Sequence, residues 1–132
     1  MLRPACAAVI SALVLGGIAL SAPGHADARP RISSFYVKDE GRQIQLKVNF
    51  CDYTGDLSDS FSSTFRIWDE NGSGSIKVFQ RRVSGRIYDY CGYAYIKVPD
   101  TFANGLYSAN VAVTNRTNGS FSRIGARYFT IR

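Results

Sequence analysis

The chain holds one histidine, His25, and it falls in an N-terminal stretch that reads as a removable leader. Without it no imidazole remains to act as a general base, complete a Ser-His-Asp triad or ligate a metal. Carboxylates, Lys, Tyr and Ser are then the only catalytic candidates. Cysteine is nearly as scarce: Cys6 lies in the same stretch, too early to carry a lipid at a cleavage point, which leaves Cys51 and Cys91. Helical periodicity is missing throughout, and neither a linker nor an internal repeat breaks the chain, so a single domain is expected.

The leader itself is legible. Arg3 precedes an apolar run from Ala5 to Leu20, and Ala26-Asp27-Ala28 supplies the small-x-small pattern of a signal peptidase site. Cleavage is expected after Ala28, with Ala26 as the alternative, leaving residues 29–132 as the secreted domain. The apolar run is short for a membrane span, so no stable insertion is expected after cleavage. Removing residues 1–28 takes away Arg3 and Asp27, so basic residues fall from 16 to 15 and acidic ones from 10 to 9, and the net charge stays at +6. Such a domain is drawn to anionic surfaces, among them cell-wall polymers, acidic glycans, nucleic acid and lipid headgroups.

What remains is alternation in short runs with turn residues every eight to twelve positions, the pattern of an all-β sandwich or barrel. Strands are expected over Ile32–Val37, Gln43–Phe50, Thr64–Asp69, Ser75–Val83, Tyr93–Val98, Gly105–Val113 and Arg123–Ile131. In the third, either Phe65 and Ile67 or Trp68 faces inward, and the pattern leaves both open. Ser84-Gly85 interrupts the fourth strand, where the chain is expected to switch sheets. The run IYDY-CG-YAYIKV reads as two strands about a two-residue turn, which sets Tyr90 opposite Tyr93 and Tyr88 opposite Tyr95.

Two cysteines in an exported domain predict a Cys51–Cys91 disulfide. Closing that loop of about 41 residues stabilises a chain by roughly 4 kcal/mol in the loop-entropy account. If the Gln43–Phe50 and Tyr93–Val98 strands are antiparallel neighbours with Cys51 facing Cys91, then Val48 meets Ala94, Leu46 meets Ile96 and Ile44 meets Val98. Lys47 then meets Tyr95, and Asn49 meets Tyr93. Every apolar residue falls on one face, whereas a slip of one residue would bury lysines.

The series VPDTFANGLYSANVAV, ended by RYFTI, resembles the later strands of bacterial immunoglobulin-like and fibronectin type III-like domains. The resemblance implies a two-sheet antiparallel immunoglobulin-like sandwich of about seven strands. It also implies that Tyr107 is a corner tyrosine, its ring in the core and its hydroxyl on loop backbone. One departure stands out. Ala109 occupies the position of the second antibody-type cysteine, so the expected bridge joins neighbours within one sheet, and nothing specific about function transfers with the fold.

Two surfaces are candidate sites. Tyr88, Tyr90, Tyr93 and Tyr95, flanked by Lys47 and Lys97, are expected to form an exposed tyrosine face suited to protein or sugar contacts. Arg81, Arg82 and Arg86, with Arg116, Arg123 and Arg127, are expected to converge into a cationic patch for phosphate, sulfate or carboxylate if the fourth strand joins the sheet of the last two. Asp52, Asp56 and Asp59 match no calcium loop, so no metal is expected, nor any cofactor. The arginines lack interleaved recognition motifs, and specific nucleic-acid binding is not expected. The function expected first is a secreted, non-enzymatic binding module at or outside the cell surface, with a protein or an anionic or glycan polymer as partner. An exported inhibitor of a hydrolase, presenting NRTNGS or the loop after Cys51, and a stand-alone carbohydrate-binding module are the alternatives.

Overall fold

The computed structural model describes residues 29–53, 59–87 and 89–132. The expected leader with Cys6 and His25, and also Asp56 and Tyr88, lie outside the described residues. Among those described the chain is all β. Its seven strands are β1 (Arg31–Asp39), β2 (Gln43–Cys51), β3 (Ser60–Asp69), β4 (Ile76–Arg86), β5 (Cys91–Pro99), β6 (Gly105–Asn115) and β7 (Phe121–Ile131). They form two antiparallel sheets, ordered β1-β2-β5 and β4-β3-β6-β7.

The period-two pattern of β2 decides the smaller sheet. Ile44, Leu46, Val48 and Phe50 are all buried, while Lys47 and Asn49 between them face outward. β5 pairs with β2 in the register that keeps both apolar sets together: Ile44 with Val98, Leu46 with Ile96, Val48 with Ala94 and Cys51 with Cys91. The Cys51–Cys91 disulfide closes the end of that ladder, its Cα atoms 4.0 Å apart, and it joins neighbouring strands rather than the two sheets. Across the interface β3 and β6 supply Phe61, Phe65, Ile67, Ala109, Val111 and Val113, which completes the core. Phe65 and Ile67 face inward, so Trp68 stands on the outer face by parity.

Tyr107 takes the corner position. Its ring is buried between Phe102 and Phe129, and its hydroxyl donates to the Ala103 carbonyl at 2.7 Å in the loop before β6. Burial raises its pKa above the ordinary 10.0, helped by the negative charges of Asp69 and Asp100.

Three sequence expectations need correction. Cys91 and Gly92 are not a hairpin turn but the first residues of β5, because the bridge to Cys51 requires Cys91 in the ladder. Nor does the chain switch sheets at Ser84-Gly85: both residues sit in register opposite Ser62 and Phe61, and β4 runs on to Arg86. The crossing comes between the end of β4 at Arg86 and the start of β5 at Cys91. There Ile87 turns into the core, Tyr90 adopts φ 66°, and two backbone bonds, Ile87 N–H to Asp59 O and Asp52 N–H to Tyr90 O, fix the path. Gly92 is needed at this corner, since a Cβ there would run into the Ile87 side chain. The third strand starts at Ser60 rather than Thr64, extending the alternation through Phe61 and Ser63. In β4 it is Phe79 and Val83 that pack against the core, while Ile76 and Val78 are exposed, because a bulge opposite Ile67 and Trp68 shifts the register.

The two flanks of the sandwich differ. Beside β1 and β7, Arg127 Nε donates to the Phe35 carbonyl at 3.3 Å and Ser122 Oγ donates to the Pro30 carbonyl, tying sheet to sheet. Beside β4 and β5 a cleft of about 530 Å³ opens instead, lined by Phe50, Phe61, Val83, Ile87 and Ala94 with the Tyr93–Tyr95 segment at its lip.

Candidate functional site: two outer faces

The outer face of β1-β2-β5 carries the tyrosines. Because β5 alternates, Tyr93 and Tyr95 must share the face opposite Ile96 and Val98, and each stays well exposed, at 62% and 49%. Their rings stack with centroids 6.3 Å apart and planes 21° from parallel. Lys47, paired with Tyr95 in the ladder, swings its ammonium over the Tyr93 ring at 4.8 Å, a cation–π contact. Tyr36 of β1 lies in register with Lys47 and is also exposed, a member of the face that the expectation missed. Parity within β1 is the signal that finds it. Lys97 closes the row and makes an exposed ion pair with Glu40 at 3.9 Å.

Tyr90 does not join this stack. With the hairpin gone, it packs instead on Tyr53 at 5.8 Å near the bridge, where the Tyr53 hydroxyl lies 3.6 Å from the Cys91 sulfur. The expected pairing of Tyr90 with Tyr93 across a hairpin is therefore not formed, and the expected partner of Tyr95, Tyr88, lies outside the described residues.

The arginines divide between surfaces. β4 does join the sheet of β6 and β7, but at the opposite edge, with β3 and β6 between. Arg82 and Arg123 come onto one outer face because register aligns Arg82 with Thr64, Thr64 with Ala112 and Ala112 with Arg123. Arg81 has the opposite parity and covers the Phe79 ring at 5.4 Å, and Arg127 is spent on the Phe35 carbonyl. Arg86 lies at the far end of β4, opposite Ser60, and Arg116 sits in the turn after β6 with its N–H on the Ser60 carbonyl. A single six-arginine patch does not form.

Around Arg82 and Arg123 the same face gathers residues that the sequence reading passed over. Arg66 and Trp68 follow Thr64 on β3 at period two, and together they line a groove of about 530 Å³ with Asn110, Thr114, Phe121 and Gly125. Arg66 Nε and Lys77 Nζ both donate to Gln80 Oε1, at 3.0 and 2.9 Å, and Arg123 covers the Phe121 ring at 5.4 Å. At one end Glu70 accepts bonds from Ser108 and Ser75, which lower its pKa below 4.5.

The rim near the bridge holds a buried polar knot. Asn115 Nδ2 donates to Asp59 Oδ2 at 2.7 Å and to Asp52 Oδ2 at 3.1 Å, while its Oδ1 accepts the Thr117 N–H at 2.9 Å. This arrangement makes Asp52 and Asp59 fixings of the loop ends. Among the described residues no group of three His, Cys, Asp or Glu side chains is placed to hold a metal.

Compared with known proteins, the chain matches no protein-family model and no curated sequence. Its fold is similar to part of OgpA from Akkermansia muciniphila, with a TM-score of 0.50 and 14% identity over 81% of this chain and 28% of OgpA. Fainter likenesses extend to β-glucosidase 3B from Thermotoga neapolitana, with a TM-score of 0.46 and 12% identity over 77% of this chain and 17% of that one. Bacteroides uniformis β-glucuronidase 2 follows, with a TM-score of 0.42 and 13% identity over 78% and 13% of the two chains. In each case the chain spans less than a third of the larger protein, and the likeness to OgpA is one of fold alone.

Proposed function

We propose that this protein is a secreted, non-enzymatic binding module of immunoglobulin-like type that docks on a glycan at or outside the cell surface through Tyr93 and Tyr95. The observation that carries the reading is the exposed, near-parallel pair of rings with a lysine held over one of them. Rigid rings on a strand lose little entropy on binding, and their faces suit the C–H side of a sugar while Lys47 and Lys97 meet any acidic group. The strand order and the Tyr107 corner support the immunoglobulin-like assignment. Export is supported by the leader pattern and by the disulfide. A catalytically inactive OgpA has been solved with an O-glycopeptide substrate, which fits a glycan partner by analogy of fold alone.

Residues 29–132 incubated with insoluble cell-wall polysaccharide should sediment with it, and Tyr93→Ala with Tyr95→Ala should weaken retention about tenfold or more at unchanged melting temperature. Equal retention of the double variant would reject the reading.

One feature favours a second reading, an inhibitor that inserts a loop into a hydrolase. The turn after β6 is stiffened by Asn115 and Asn118, whose side-chain oxygens accept the Thr117 and Ser120 N–H groups, and it presents Arg116 in solvent. Stoichiometric slowing of a glycosidase or peptidase, abolished by Arg116→Ala, would establish it.

A further inference from the structure

The groove on the outer face of β4-β3-β6-β7 lies across the sandwich from the tyrosines and is unused by the proposal above. Its shape follows from two bulges. One inserts Val78 into β4 opposite Ile67 and Trp68, and the other inserts residues near Gly125 into β7 opposite Asn110. Each bends its edge strand, and between them a floor of small side chains, Thr64, Ala112 and Thr114, lies lower than the arginines and aromatics around it.

Its charge is unbalanced. Among the described residues no carboxylate pairs with Arg66, Lys77, Arg82 or Arg123; the first two share one neutral amide oxygen instead. Three guanidiniums facing one groove, with Glu70 at its end held by Ser75 and Ser108 rather than paired to them, repel one another, and an anionic ligand relieves that repulsion. Trp68 adds a flat ring, and its indole N–H is buried with no acceptor among the described residues.

Spacing narrows the ligand. Arg82 and Arg123 stand three inter-strand steps apart, roughly 14 Å between backbones, and Arg66 lies roughly 8 Å from Arg82 along the diagonal. A single phosphate or sulfate ion would have to draw three separated side chains to one point. A polymer that alternates planar carboxylates with hydroxyls fits, since the guanidinium fork grips a carboxylate at two points and Thr64, Thr114 and Asn110 meet hydroxyl groups between. We propose that this groove is a second binding site, which takes a carboxylate-bearing polysaccharide across Arg82, Arg66 and Arg123 with a sugar ring against Trp68.

The test uses polygalacturonate as probe and the fully methyl-esterified polymer as its uncharged control, measured by affinity electrophoresis and calorimetric titration. The native protein should bind the acid form and not the ester. Arg82→Lys with Arg123→Lys keeps the charge but removes the fork, and should weaken binding about tenfold, because each charge-assisted pair lost is worth a good fraction of that factor. Tyr93→Ala with Tyr95→Ala should leave this binding unchanged, which separates it from the tyrosine face. Retained affinity in the double lysine variant would overturn the proposal in favour of plain electrostatic attraction. So would equal binding of single-stranded DNA or polyglutamate, or no binding of polygalacturonate at low salt.

Discussion

The two sheets of this sandwich use the same alternation to opposite ends. The three-stranded sheet is stapled by Cys51–Cys91 and its β2–β5 ladder is unbroken; its register shift lies at Ile32–Ser34 near the start of β1, away from Tyr36, so the face that carries the tyrosines is even. The four-stranded sheet has no staple and two bulges, and its outer face sinks into a groove rimmed by arginines and Trp68. Regular pairing makes a flat aromatic surface, and interrupted pairing makes a concave charged one.

That contrast can be broken at several points. Replacing both bridge cysteines, Cys51→Ser with Cys91→Ser, should cost about 4 kcal/mol and lower the melting temperature by roughly 15 °C or more, since only the smaller sheet carries a cross-link. A loss under a few degrees by scanning calorimetry would mean the β2–β5 register holds itself. Salt offers the next largest effect. Raising sodium chloride from 50 to 500 mM, concentrations chosen to span strong to weak screening, should abolish most groove binding to polygalacturonate while retention through Tyr93 and Tyr95 changes little. Parallel decline of both would erase the distinction between the faces.

Tyr107 sits between the sheets and should belong to neither face. Tyr107→Phe loses the bond to Ala103 and should cost about 1 kcal/mol, or roughly 5 °C, with both binding activities intact. Its pKa is raised in the fold, so the stability it contributes is complete below the unfolded value near 10.0 and is lost as pH rises through the folded value. Urea midpoints between pH 9 and 11 should therefore fall more steeply for the native protein than for Tyr107→Phe. Smallest of all, Trp68→Phe removes a buried donor that has no acceptor, and its stability should stay within about 0.5 kcal/mol of the native protein. A larger loss in chemical denaturation would show that the indole nitrogen is bonded in solution.

The smaller sheet was legible in the sequence almost residue by residue, because one cysteine pair and four alternating apolar residues on β2 admit a single register with β5. The crossing from β4 was not. IYDYCGYAYIKV keeps its parity whether CG turns the chain or continues a strand, and the left-handed residue proved to be Tyr90, which no glycine marks. The arginine groove was half legible for a similar reason. Arg82 and Arg123 lie on separate strands whose alignment depends on two bulges, and Arg66 with Trp68 became assignable only once Phe65 and Ile67 were known to face inward.

β4 is an edge strand of eleven residues, long enough to recruit another copy of itself through its free backbone groups. It carries Lys77, Arg81, Arg82 and Arg86, and Arg81 points to the side that would otherwise invite stacking. Two such edges meeting antiparallel would bring eight cations together without a counter-charge, so the excess of basic residues doubles as a guard against self-assembly into fibres.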